Sequence, residues 1–241
     1  MKRLFTVAML MWPAVLNAAA PPIMETSKGQ TRILGSPLEV VLLLTALTLL
    51  PAVFVSATPF LRIVVVLHFL RQALGTQTTP SNQVLVGIGM FLSILVMQPV
   101  AGDVYEHAWK PYEAGTATAS QAWETGSEPV KAFLLRFARE KDLRLFTEIA
   151  KAPQPKTPKD LSLLVIVPAY ILSELKAGFQ IGAVLFLPFL VIDLVVASVT
   201  LSVGMVQLPP VMISAPFKIL LFVLIDGWNL LIGSLVKSLY T

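Results

Sequence analysis

The chain has 241 residues, of which 56% are hydrophobic and 13% are charged, and its formal net charge is +4 at pH 7. Soluble domains carry about 25% charged residues, so this composition indicates a membrane protein or part of a very apolar assembly. The chain has two histidines and no cysteine. The absence of cysteine excludes disulfides, cysteine-ligated zinc and thiol nucleophiles. The modest positive charge is not the basic patch that binds nucleic acid.

The N-terminus carries the features of a secretory signal peptide. Two basic residues precede an apolar run over residues 4–16 that is too short to span a bilayer, and residues 18–20 fit a small-residue cleavage site. We therefore predict a signal peptide over residues 1–20 and a polar leader over residues 21–36. The alternative is a short first membrane helix. Cleavage would place the mature N-terminus outside the cytoplasm.

The next section, residues 37–101, is predicted to form apolar helices. Pro37 stands where a helix can begin at no cost, because the first helical N–H groups need no intrahelical partner. The 20 residues from 38 to 57 carry one charge, Glu39, and are long enough to span a bilayer. The following elements are a helix over residues 61–74, a Gly- and Pro-containing turn over residues 75–83 and an apolar run over residues 84–101.

Residues 102–160 are predicted to form a small helical insertion that faces water on the periplasmic side. This section contains nine basic and nine acidic residues. Apolar residues recur on one face over residues 130–150, which predicts one amphipathic helix there. Asp103, Glu106 and His107 have the spacing of metal ligands on a helix. They follow a helix end in a polar region, however, and a solvated helix face is the favoured interpretation.

Residues 161–241 carry only six charges and are predicted to form an apolar helical hairpin. The first arm, residues 161–204, contains prolines and glycines that predict breaks, and the second arm is predicted as one helix over residues 211–236. The interruption at residues 203–210 contains Gly204 and two prolines. Irregular backbone in apolar surroundings is tolerated where it is buried in protein or lines a cavity; a surface turn is the alternative. No segment alternates with a period of two, so we predict an all-α fold.

Two acidic residues, Glu174 and Asp193, lie inside apolar segments of this hairpin. A charge in such a segment costs about 2.5–3.5 kcal/mol unless it is paired or faces water or protein. Two interpretations stay open for both residues: salt bridges between subunits or a polar lumen, and pairing within the chain for structure alone. Gly178 and Gly182 form a GxxxG pattern, which predicts close helix contact within or between subunits.

Three long stretches of the chain resemble the FliP family. The first is PAYILSELKAGFQIG over residues 168–182, the second is PFKI with IDGW over residues 216–228, and the third is LRQALGTQTTPSNQVLVGIGMFLSILVMQPV over residues 70–100. The likeness runs from about residue 38 to the C-terminus. The signal peptide together with RQALGTQ over residues 71–77 resembles the flagellar branch of the family and not the injectisome branch.

The resemblance implies a non-enzymatic subunit without cofactor or bound metal. Members of this family form a homo-oligomeric ring, a pentamer, with FliQ and FliR around a central channel of the flagellar type III protein export gate. FliO assists assembly, and FlhA and FlhB complete the apparatus. The resemblance thus implies membrane-associated bent helical hairpins in a helical channel, located in the inner membrane at the flagellar basal body. Unfolded flagellar proteins would be its substrates.

The same resemblance suggests two sets of functional residues. Family members carry a methionine-rich constriction, Gly-Met-Met-Met-Val-Pro-Pro, where this chain has only one of the three methionines. The predicted constriction residues are Met205, Val206, Gln207 and Leu208. The predicted subunit contacts are Glu174, Gly178 and Gly182, with Arg139 and Asp193 at positions of charged family residues.

The runner-up interpretation is a small-solute or ion transporter, because broken helices and buried acids suit that class as well. Transporters of this kind are built from repeated halves, and the sequence shows no repeat. An intramembrane enzyme is the third possibility, and the sequence lacks a convergent set of nucleophile, base and metal ligands.

Overall fold

The structure is a computed structural model, and it describes residues 37–76, 78–151, 157–204 and 209–240. The predicted signal peptide and polar leader lie outside these residues. The chain divides into two compact units, residues 1–48 and residues 49–241. Every regular element in the described ranges is helical, which confirms the predicted all-α class.

Nine α-helices are described. They are α1 (Pro37–Ala57), α2 (Phe60–Ala73), α3 (Asn82–Val104), α4 (Lys110–Glu113), α5 (Ala119–Phe137), α6 (Glu140–Ile149), α7 (Leu163–Ser202), α8 (Pro210–Leu224) and α9 (Gly227–Tyr240). A π-helical turn, Tyr105–Trp109, joins α3 to α4, and a short 3-10 turn, Pro158–Asp160, precedes α7.

The described part of the first unit is the beginning of α1. Its side chains from residue 40 to residue 48 are all exposed. They are almost all apolar, and the hydroxyl of Thr45 donates to the carbonyl oxygen of Val41 at 2.8 Å. A helix that is hydrophobic on all sides requires an apolar environment around it, either lipid or protein.

The core of the second unit is the packing of α2 against α7. Helix α2 buries Ile63, Val66, Leu67 and Leu70, a spacing of three and four residues that places them on one helix face. These side chains belong to one apolar cluster with Ile166 and other residues of α7. The other helices of the unit that pack on α7 are α5, α6 and α8, and α3 packs on α2.

One prediction for the first hairpin arm is wrong. Helix α7 runs unbroken for 40 residues, although it contains Pro168 and Pro188. In apolar surroundings a broken helix would leave several N–H and C=O groups without partners, whereas one proline removes a single hydrogen bond. A continuous helix therefore costs less free energy here than a broken one.

Two other predicted helices are interrupted. The amphipathic helix expected over residues 130–150 stops at Phe137 and resumes at Glu140, because Ala138 and Arg139 are extended, with ψ of 125° and 141°. The second hairpin arm, expected as one helix over residues 211–236, is divided into α8 and α9, which meet at 67°. Asp226 at that corner has φ of 52°, a left-handed conformation that Asp tolerates better than most residues.

Three of the described helical stretches are long and apolar enough to cross a membrane: Val40–Ala57, Asn82–Glu113 and Leu163–Ser202. A fourth span is possible if α8 and α9 together form one bent crossing. The helical stretch Asn82–Glu113 is longer than the apolar run at residues 84–101, so it is long enough to cross a bilayer. The all-α class and these spans together define a membrane helical protein.

Candidate functional site

Three polar clusters lie along α7, in an otherwise apolar bundle. Each contains a charged pair, and each is bonded to a residue of α7. We name them after their basic residues: the Arg62 cluster, the Arg139 cluster and the Lys218 cluster. Since a buried charge is costly unless it is paired, the position of each pair constrains which helices can neighbour α7.

The Arg62 cluster joins four helices. Nη2 of Arg62 on α2 donates to Oε1 of Glu174 on α7, and the two side chains are 8% and 0% exposed. Nη1 of Arg62 donates to the carbonyl oxygen of Ser238 on α9 at 3.3 Å. The guanidinium also lies 5.1 Å from the ring centroid of Phe137 on α5, within the range of a cation–π contact.

A second arginine reinforces the contact with α9. The guanidinium of Arg136 lies 5.5 Å from the centroid of the same Phe137 ring and donates to the carbonyl oxygen of Tyr240. The last carbonyls of a helix lack intrahelical partners and carry the negative end of its dipole. Arg62 and Arg136 therefore hold the final turn of α9 by supplying positive donors to it.

The Arg139 cluster fixes the corner between α5 and α6 onto α7. The backbone N–H of Arg139 donates to the hydroxyl of Ser173 at 2.9 Å, and that hydroxyl donates to Oδ2 of Asp142 at 2.6 Å. Arg139 also binds Oδ2 of Asp142 through Nη2 at 2.6 Å. The N–H of Ala138 still makes its helical bond to the carbonyl oxygen of Leu134 at 2.9 Å, whereas the N–H of Arg139 bonds to Ser173 in place of a helical carbonyl, which explains the break.

Asp142 is charged in this arrangement. Burial alone would raise the pKa of its carboxyl, but the hydrogen bonds from Ser173 and Arg139 and the charge of Arg139 outweigh it, so the pKa is below its usual value.

The Lys218 cluster joins α8 to α7 and to the end of α2. Nζ of Lys218 donates to Oδ2 of Asp193 at 2.6 Å and to the carbonyl oxygen of Ala73 at 3.0 Å. The hydroxyl of Ser214 donates to the other carboxylate oxygen of Asp193. Lys218 and Asp226, whose pairing the sequence did not require, have separate partners, since Asp226 accepts from Asn229 at 3.1 Å.

The GxxxG glycines lie at the closest approach of α7 to α2. A Cβ at Gly178 would lie 3.0 Å from Cγ1 of Val65, and one at Gly182 would lie 2.5 Å from the ring of Phe69. The helix contact predicted from the small residues is thus observed within the chain.

The predicted subunit-contact residues all lie in these three clusters or at the contact of α7 with α2. Glu174, Arg139 and Asp193 all have partners inside the chain, so the pairing within the chain that was one alternative for Glu174 and Asp193 is present. Contact of these residues, or of Gly178 and Gly182, with another subunit stays a prediction. The predicted constriction residues, Met205 to Leu208, lie outside the described residues; before them Gly204 has φ of 80°.

Sequence reasoning did not identify Arg62 and Lys218 as the partners of the two acids. The available signal was the same for both: each is an isolated cation in an apolar helix, and such a cation requires an anion nearby. Glu106, one of the three residues with metal-ligand spacing, pairs with Lys110 at 2.9 Å. Within the described ranges, no group of three metal-ligating side chains lies close enough together to hold an ion.

The architecture and its paired interior charges are those of an integral membrane protein of the all-α class. Comparison with known sequences identifies the family within this class. The model of the FliP family matches residues 43–235, and the chain belongs to the FliP family.

Several curated relatives named flagellar biosynthetic protein FliP support this assignment. The protein from Pectobacterium carotovorum subsp. carotovorum is 50% identical over 203 residues, which cover 84% of this chain and 79% of the relative. The protein from Bacillus subtilis is 47% identical, over 85% of this chain and 92% of the relative. The one from Treponema pallidum is 44% identical, over 83% and 74% respectively.

Proposed function

We propose that this chain is a channel-forming subunit of the flagellar type III protein export gate, through which unfolded flagellar proteins cross the bacterial inner membrane. As a member of the FliP family, the chain is a component of the flagellar export apparatus. The finer proposal concerns its place there: several copies, a pentamer, assemble with FliQ and FliR around the channel. FliO, FlhA and FlhB are the further partners that the family resemblance implies.

The length and exposure of α7 carry this proposal. The helix has 40 residues, so it is about 60 Å long, whereas the hydrocarbon core of a bilayer is about 30 Å thick. Eight of its ten buried residues lie at or before Gly182, where α7 packs closely on α2. The second half, residues 183–202, is about 30 Å long and exposes apolar side chains such as Val184, Val191 and Val199, and only 11% of the most apolar window is buried within the chain. Lipid and neighbouring subunits cover this surface in the assembly that we propose.

The native mass of the detergent-extracted protein tests the proposal directly. The full chain is expressed alone and together with its FliQ-like and FliR-like neighbours. We expect a complex containing several copies of the chain that recruits both partners. A monomer or dimer that is indifferent to both would contradict the proposal and would favour the small-solute transporter, which the family comparison does not favour.

We further propose that Met205, Val206, Gln207 and Leu208 form the constriction of this channel. The support is their position between the two hairpin arms, α7 and α8, and the resemblance of the surrounding motif to the family. Gln207 interrupts an apolar seal, so Gln207→Met should lower the ion permeability of membranes that contain the complex. Higher permeability in this variant would contradict a sealing role for the loop.

The insertion at residues 102–160 is proposed to face the periplasm, downstream of a cleaved signal peptide. Because the chain has no cysteine, Glu124→Cys on the exposed face of α5 introduces a single thiol. A membrane-impermeant maleimide should label it in intact cells whose outer membrane has been made permeable. Labelling only after inner-membrane lysis would refute this topology.

A further inference from the structure

We propose that Lys218 is a positioning residue that locks α8 both to α7 and to the end of α2, and so sets the separation of the two hairpin arms. The consequence for the channel rests on the proposed function. The lock itself is a property of the single chain, and it can be measured whether or not the chain forms a channel.

The first observation is the burial and bonding of the ammonium group. Lys218 is 1% exposed, yet Nζ has two oxygen partners from two different helices, Asp193 of α7 at 2.6 Å and Ala73 of α2 at 3.0 Å. Bonding to oxygens on both sides compensates for the loss of water around a buried cation. Removing the ammonium would leave the carboxylate of Asp193 without its countercharge and the carbonyl of Ala73 without this donor.

The second observation is that α2 is a fixed reference for α8. The carbonyl oxygen of Ala73 belongs to the last turn of α2, where carbonyls lack intrahelical partners and attract a positive charge. Helix α2 itself is anchored by core residues such as Ile63 and Val66, which are 0% exposed. Lys218 therefore connects the second hairpin arm to the most buried helix of the unit.

The third observation is a close packing contact beside the ammonium. Gly75, in the turn after α2, has φ of 75°, and a Cβ at this position would lie 3.3 Å from Cβ of Ala215. Ala215 and Lys218 are three residues apart on α8 and therefore share a helix face. The polar lock and the packing of α8 on the turn after α2 form one contact surface.

The position of the lock along the hairpin gives its consequence. Asp193 lies nine residues before the end of α7 at Ser202, about 14 Å along the helix. Lys218 lies eight residues after the start of α8 at Pro210, about 12 Å along that helix. A bond between Asp193 and Lys218 at this distance from the loop limits how far the C-terminal end of α7 and the N-terminal end of α8 can separate.

A disulfide reporter measures the lock independently of export. The chain has no native cysteine, so Gly75→Cys with Ala215→Cys introduces the only thiol pair. The 3.3 Å separation is slightly below the Cβ–Cβ distance of disulfides, about 3.5–4.5 Å, and the strain of a side chain at Gly75, with φ of 75°, is the same in every background that is compared. The pair is placed in three backgrounds of the full chain, co-expressed with its partners: Lys218→Met, Lys218→Arg and the matched control Lys141→Met, which removes the same charge from an exposed site on α6.

We expect Lys218→Met to lower the disulfide yield at least about threefold relative to the control, because a buried ion pair loses one partner. Lys218→Arg, which keeps the charge and the donors, should keep most of the yield. In chains without the cysteines, Lys218→Met should also raise the ion permeability of membranes containing the complex. The amount of chain in the membrane is measured for every variant, so that poor membrane insertion is not mistaken for loss of the contact between α8 and α2.

Two results would overturn the proposal. A yield in Lys218→Met equal to that in the control would refute the lock. A lower yield with unchanged permeability and unchanged export would refute its control over the hairpin arms. Failure of the proposed function has a different signature: export and permeability would be independent of the chain altogether, while the disulfide yield would still report whether Lys218 positions α8.

Discussion

Breaking the Arg62–Glu174 pair should be among the most destabilising single changes in this chain. Glu174→Gln leaves the guanidinium of Arg62 without its countercharge, in a site where the side chains are 8% and 0% exposed. Removing one partner of a buried pair costs about 3–5 kcal/mol. At about 2–4 °C per kcal/mol for a chain of this size, the melting temperature should fall by about 10 °C.

A double-mutant cycle separates the pair from the rest of the cluster. Arg62→Met with Glu174→Met removes both charges, and its cost should be well below the sum of the two single changes, because neither charge is left buried alone. Arg62 also bonds to Ser238 and contacts Phe137, so some cost remains in the double variant.

Thermal unfolding of the purified chain in detergent, followed by the fluorescence of Trp109, Trp123 and Trp228, measures these differences. The matched control is Glu140→Gln, since Glu140 pairs with Arg144 through side chains that are 79% and 73% exposed and should contribute less than about 1 kcal/mol. Additive costs for the two single changes at Arg62 and Glu174 would refute the argument that the charges stabilise each other.

Gly182→Ala should destabilise the chain by about 1–3 kcal/mol through overpacking, because the new Cβ would lie 2.5 Å from the ring of Phe69; Gly233→Ala on α9, where the new Cβ meets nothing within 4 Å, should not lower the melting temperature. Equal effects of the two changes would contradict the close approach of α7 to α2. The low pKa of Asp142 predicts a stabilisation that is present above the unfolded pKa of about 3.9 and is lost as the pH falls through the folded value. Melting temperatures of Asp142→Asn and the unchanged chain should therefore differ at pH 7, and the difference should shrink as the pH falls below about 4; a difference that stays constant with pH would contradict this role.

The fold class could be predicted from the sequence because it depends on composition and periodicity. Apolar runs long enough to span a bilayer, without period-two alternation, define helices with no reference to the rest of the chain. The family followed from long motifs such as residues 168–182. That motif combines core-facing residues of α7 with polar ones such as Glu174, so it reflects both packing and charge placement.

The breaks could not be predicted because tertiary contacts decide them. The helix over residues 130–150 stops at Phe137 since the hydroxyl of Ser173, 34 residues after Arg139, accepts the N–H of Arg139. Conversely, α7 continues through Pro188, where local propensity favours a break. The local sequence sets the free-energy cost of breaking a helix or of continuing it. The residues whose contacts offset that cost lie elsewhere in the chain.

The length of α7 also has a consequence for the chain before it meets its partners. A straight apolar helix of about 60 Å would have to tilt by about 60° to lie within a hydrocarbon core of about 30 Å, whereas transmembrane helices tilt by about 0–40°. A newly inserted subunit whose whole α7 entered the core would therefore bear a hydrophobic mismatch that tilting alone does not remove. In the assembly that we propose, neighbouring subunits relieve this mismatch, so unassembled chains should be the ones that membrane quality control recognises and degrades.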